Sequence, residues 1–110
     1  MVGFSQGTMM ALHVAPRRTK QIAGLVGFSG AMMGADTLQE EGRSKPPTLL
    51  VHGETDQVVP VQAMHAAVAG LQAVDIPVQS MVRPGLPHGI DPEGVSSATA
   101  FLMNAFTEVA

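Results

Sequence analysis

From Met1 onward, apolar residues fall alternately into short runs and helical stripes. Met1-Val2 reads as the end of a strand. A helix is predicted from Gln6 to Ala15, where Pro16 cannot continue the hydrogen-bond ladder. Its sequence from Gly7 to Ala15 is apolar nearly all round, so burial on several sides is expected. Ile22 to Phe28 is a fully apolar run of the kind that fills the interior of a parallel sheet. Residues 30–45 are looser and more charged, with room for one short helical turn. Pro47 to His52 forms the next buried strand and Pro77 to Val82 the third. Between them, from Pro60 to Ala73, Val61, Met64, Val68 and Leu71 recur at helical spacing. Asp91 caps a last helix with Pro92 at its first position, and Val95, Ala98, Leu102 and Phe106 are its expected inward stripe.

Strands that alternate with helices predict an α/β fold, here three parallel strands with flanking helices and right-handed crossovers. In such sheets the ligand site lies beyond the carboxyl ends of the strands. Composition supports a globular chain, with 45% hydrophobic and 14% charged residues among 110, enough for one domain. The formal net charge of −3 and the scattered Lys and Arg argue against a nucleic-acid surface. Arg17-Arg18 with Lys20 reads as the solvated end of a helix. There is no cysteine, which excludes disulfides and thiolate chemistry. No apolar run approaches the ~18 residues of a membrane span, and the first residues lack a signal-peptide pattern. Cytoplasmic residence fits these features. Eight Met, with no Trp or Tyr, take up part of the packing.

Chemistry enters at Gly3-Phe4-Ser5-Gln6-Gly7, a G-x-S-x-G pattern between a strand end and a helix start. A sharp strand-to-helix turn lifts the Ser5 hydroxyl clear of the backbone, and Gly3 and Gly7 are expected to supply room where a Cβ would not fit. The following helix N-terminus favours the negative charge of acyl transfer. At ordinary Gly and Ser frequencies the pattern arises by chance in roughly a few per cent of chains this long, so alone it decides little. Two further residues join it. Asp56 follows the second buried strand in His52-Gly53-Glu54-Thr55-Asp56-Gln57-Val58-Val59-Pro60, and His88 follows the third in Pro84-Gly85-Leu86-Pro87-His88-Gly89-Ile90. A nucleophilic serine needs a base for its proton and a carboxylate to orient that base. Taken singly, Asp56 is equally a turn-former before a helix and His88 a surface histidine. Together, in the order Ser, Asp, His and each at a strand's carboxyl end, they form a candidate triad.

Other candidates are weaker. Gly27-Phe28-Ser29-Gly30 has Ala31 where a final glycine should stand, so Ser29 reads as a strand-end residue. His13 and His65 lie within helices and His52 ends a strand, all three structural. Glu54 is the second candidate for the acid. No His, Asp and Glu set shows metal-ligand spacing.

The four stretches Gly3-Phe4-Ser5-Gln6-Gly7, GFSG at Gly27, HGETDQVVP at His52 and PGLPHGI at Pro84 together resemble the phospholipase/carboxylesterase family of α/β-hydrolases, which includes acyl-protein thioesterases. The resemblance implies that Ser5 is the nucleophile, Asp56 the triad acid and His88 the general base. It also implies that the Gln6 N–H is one oxyanion donor and that no cofactor is needed. Residues 1–110 correspond to the C-terminal part of such a domain, beginning at the nucleophile elbow, hence a partial α/β-hydrolase fold. The second oxyanion donor of the family comes from a loop after an earlier strand, and losing one donor typically costs ~10²–10³ in rate. With the Ser5 strand a stub, the strand at Ile22 is expected to be an open edge. Covering that edge predicts a homo-oligomer, most simply a two-fold dimer. The implied substrate is a small carboxylic ester. The rival readings are a thioesterase or lysophospholipase and a non-catalytic α/β fragment or interaction module.

Overall fold

The computed structural model describes residues 1–109. It contains four strands, β1 Val2–Phe4, β2 Leu25–Phe28, β3 Thr48–Gly53 and β4 Val78–Arg83, all parallel and in the sheet order β1-β2-β3-β4. The helices are α1 Gln6–Val14, α2 Leu38–Glu41, α3 Val61–Gln72 and α4 Pro92–Val109. The sheet therefore has four strands where three were expected. The stub before Ser5 pairs with β2 through Val2↔Val26, Gly3↔Gly27 and Phe4↔Phe28. Backbone bonds from Val26 N to Met1 O and from Ser5 N to Phe28 O extend that pairing at both ends. The open edge accordingly falls on β1, not on β2. The second strand starts at Leu25 rather than Ile22, because β1 and β3 offer partners only from there on.

Side chains of the central strands alternate between two cores, as strand geometry demands. Leu25 and Leu50 pack with Ala11, Leu12, Met64, Ala67 and Leu71 on the face covered by α1 and α3. Val26, Phe28, Leu49 and Val51 pack with Ala98, Met81, Phe101 and Leu102 on the face covered by α4. The runs Leu25–Phe28 and 49–51 are continuously apolar because both faces are buried, while Thr48 and His52 of β3 are buried with hydrogen-bond partners.

Three helical expectations change. The apolar α1 is buried along one side only, through Thr8, Ala11 and Leu12, while Met10 and Val14 are exposed. After Val14 the chain tightens into a 3₁₀ turn, Ala15–Arg17, which accepts Pro16 in its first positions. On α4 the inward stripe is Ala98, Phe101, Leu102 and Ala105, whereas Val95 and Phe106 are 51% and 60% exposed. The flat face of β2 and β3 takes one narrow i, i+3, i+4, i+7 row, and Val95 and Phe106 lie off it. Arg17, expected in solvent, instead bridges three segments. It donates to the His13 and Gly34 carbonyls and pairs with Glu41 at 2.8 Å. Asp91 does cap α4, its Oδ1 accepting from Gly94 N at 2.9 Å. No helix among the described residues is long and apolar enough to cross a membrane.

Candidate active site

Ser5, Asp56 and His88 leave the carboxyl ends of β1, β3 and β4 and converge above the sheet. Ser5 stands between β1 and α1 at φ 53°, ψ −114°, outside the regions an L-residue prefers. Gly3 makes this turn possible, since a Cβ there would come within 2.6 Å of Thr8 N and 2.7 Å of the Gly7 carbonyl. Gly7 does not share that role. A Cβ at Gly7 meets nothing within 4 Å, because the residue faces outward from the first turn of α1. Gln6 opens α1, and its N–H is among those with no carbonyl partner inside the helix.

The loop of residues 54–60 folds over the end of β3 and seals Asp56, whose side chain is fully buried. Its Oδ1 accepts from Val58 N and Val59 N at 2.8 Å each. Its Oδ2 lies 2.7 Å from His88 Nδ1. Burial pushes the carboxyl up, but the bond from His88 and the amides of Val59 and Val58 outweigh it and hold it below the ordinary carboxylate value. The carboxylate can only accept, so His88 Nδ1 carries the proton and Nε2 is left with its lone pair. That lone pair faces Ser5 Oγ at 3.1 Å. Phe4, in the elbow itself, packs against the His88 ring with centroids 5.0 Å apart.

The His88 loop, residues 84–90, rests on Gly53. A Cβ on Gly53 would collide with the Leu86 and Pro87 carbonyl oxygens, and Thr55 N donates to Leu86 O at 3.1 Å. Its two ends are tied by the Arg83–Asp91 pair at 2.8 Å. An alcohol, an imidazole and a buried carboxylate in series form an arrangement that can take a proton from the alcohol as it attacks.

Of the other candidates only His52 approaches this chain of contacts, its Nε2 lying 3.5 Å from Asp56 Oδ2. Glu54 turns away from His88 and accepts from Gly85 N at 3.1 Å. His52 is buried and donates from Nε2 to Val59 O at 2.7 Å, which braces the Asp56 loop. His65 is exposed on α3, and His13 sits beside Gly34. Among the described residues no group of His, Asp or Glu is arranged to hold a metal ion. The sequence reading missed the Val58 and Val59 amides, the Phe4–His88 packing and the reach of Ser29 to Gly89 O at 3.2 Å. For the amides a signal was present, since Asp two and three residues before an N–H commonly accepts from it.

Sequence and structure comparisons relate the chain to known proteins. The family model described as phospholipase/carboxylesterase matches residues 1–105. Acyl-protein thioesterase 1 of Gibberella zeae is 28% identical over 105 residues, covering 91% of this chain and 45% of the relative. A probable carboxylesterase of Oryza sativa subsp. japonica is 33% identical over 90 residues, with 78% of this chain and 38% of the relative covered. Among solved structures, esterase PE8 superposes with a TM-score of 0.91 at 39% identity, over 94% of this chain and 48% of that one. Acyl-protein thioesterase 2 of Zea mays superposes with a TM-score of 0.85 at 25% identity, over 94% of this chain and 54% of that one. The chain thus spans less than half the length of these curated relatives. Its sheet and flanking helices make up part of an α/β-hydrolase fold. Matched along nearly its whole length, the chain belongs to the phospholipase/carboxylesterase family.

Proposed function

We propose that this chain carries the acyl-transfer machinery of a serine carboxylesterase. The observation that supports it most directly is the contact series Ser5 Oγ, His88 Nε2, His88 Nδ1, Asp56 Oδ2, at 3.1 and 2.7 Å. Ser5 Oγ attacks the ester carbonyl while His88 Nε2 takes its proton. The Gln6 N–H faces the developing oxyanion, and Asp56 stays ionised to stabilise the imidazolium. Collapse breaks the bond to the alcohol, which leaves with the proton from His88. Water, deprotonated by the same imidazole, then releases the acid and restores Ser5. A short p-nitrophenyl ester tests the reading, with Ser5→Ala as the control. Hydrolysis by the wild type should exceed that of Ser5→Ala by about 10³-fold or more. Equal rates would sink it in favour of a non-catalytic α/β module.

Thioester hydrolysis is a second reading, favoured by the relatives from Gibberella zeae and Zea mays named acyl-protein thioesterases. The same acyl-enzyme serves both, and kcat/KM on an oxygen ester and a thioester of one acyl group separates them. The exposed edge of β1 further suggests a homo-oligomer in which a second copy covers it.

A further inference from the structure

The Gly27–Gly30 motif has no part in the acyl transfer described above, yet it touches both sides of the reacting pair. Toward Ser5 it is locked to the elbow. Ser5 N donates to Phe28 O at 2.9 Å, and the same carbonyl accepts from Thr8 Oγ1 at 2.8 Å. Thr8 is buried against the motif, where a Cβ on Gly27 would lie 2.6 Å from Thr8 Cγ2 and a Cβ on Gly30 would collide with the same side chain. Toward His88 the motif reaches through Ser29. This residue is buried, and its N donates to Val51 O at 2.9 Å. Its φ is 54°, a left-handed conformation in which glycine would sit more easily. Its Oγ donates to Gly89 O at 3.2 Å, next to His88 and 60 positions along the chain.

We propose that Ser29 is a positioning residue, whose hydroxyl ties the backbone beside His88 to the turn that fixes Ser5. One brace then sets the 3.1 Å spacing between Ser5 Oγ and His88 Nε2. A serine at a backbone angle suited to glycine brings the hydroxyl that glycine lacks. The kinetic part of the inference rests on the acyl-transfer reading, and the spectroscopic part on geometry alone.

Ser29→Gly and Ser29→Ala provide the test. Glycine removes the hydroxyl and relieves the backbone, so its melting temperature should equal or exceed the wild type's. In both variants kcat on the p-nitrophenyl ester should fall about ten-fold, and KM should stay within about two-fold. The two ring ¹⁵N shifts of His88, well separated in the wild type by the fixed tautomer, should move toward each other in both variants. Wild-type kcat and unchanged shifts in Ser29→Gly would overturn the proposal. A loss in Ser29→Ala alone, tracking its melting temperature, would also overturn it and leave Ser29 a folding residue. If the wild type hydrolyses no ester, the acyl-transfer reading fails separately. The His88 shifts then decide, with movement in Ser29→Gly supporting the brace and identity refuting it.

Discussion

Ser5 holds backbone angles that cost a non-glycine residue about 1–3 kcal/mol, so its surroundings must enforce them. Gly3 is the enforcing neighbour. In Gly3→Ala the new methyl pushes on Thr8 N, and hydrolysis of the test ester should drop by about 10²-fold as Ser5 shifts. Gly7→Ala, at the other glycine of the same pattern, should keep activity and raise stability by about 0.5 kcal/mol in thermal denaturation. The pattern alone could not separate the two, because it does not say which glycine faces the strand and which faces solvent. Asp56 gives a pH signature. Its folded pKa lies below its unfolded value of about 3.9, so its ionised form contributes stability above that pH. The contribution fades as pH falls through the folded value. Denaturant midpoints should therefore decline below about pH 4, and Asp56→Asn should flatten that decline.

Between β4 and α4, the His88 loop is held at both ends by one ion pair, Arg83 with Asp91, whose carboxylate also caps α4. Arg83 holds Asp91 below the ordinary carboxylate range. Asp91→Ala removes both functions and should cost about 1 kcal/mol in chemical denaturation. Glu93→Ala, which loses only an exposed 3.1 Å contact to Arg83, should change stability by less than about 0.5 kcal/mol. The cap was legible from Asp91-Pro92, a local signal. The pairing was not, since it depends on where a strand ends relative to a helix cap eight positions later. The inward face of α4 was misread for a similar reason. Val95 and Phe106 are apolar, but the sheet decides which row of the helix it takes.

At the scale of the whole molecule, the alternation of strands and helices was readable, because strands buried on both faces are largely apolar. The pairing of the stub was not, since a strand end is legible at Met1-Val2 but three residues carry too little pattern to say which strand they join. That stub now forms one edge of the sheet, β4 being the other, and Met1, Val2, Phe4, Met10 and Val14 are exposed on the stub or on the helix that follows. Sedimentation at micromolar concentration should accordingly give a dimer, and a monomer would count against the oligomer reading. The sheet order also repeats the chain order, β1-β2-β3-β4, so each strand after β1 finds its neighbour already made as it leaves the ribosome. Ser5 precedes its proton acceptor, on the loop after β4, by 83 residues. Within this segment the sheet is therefore laid down before the reactive pair, and the serine has no base beside it until the loop after β4 has followed.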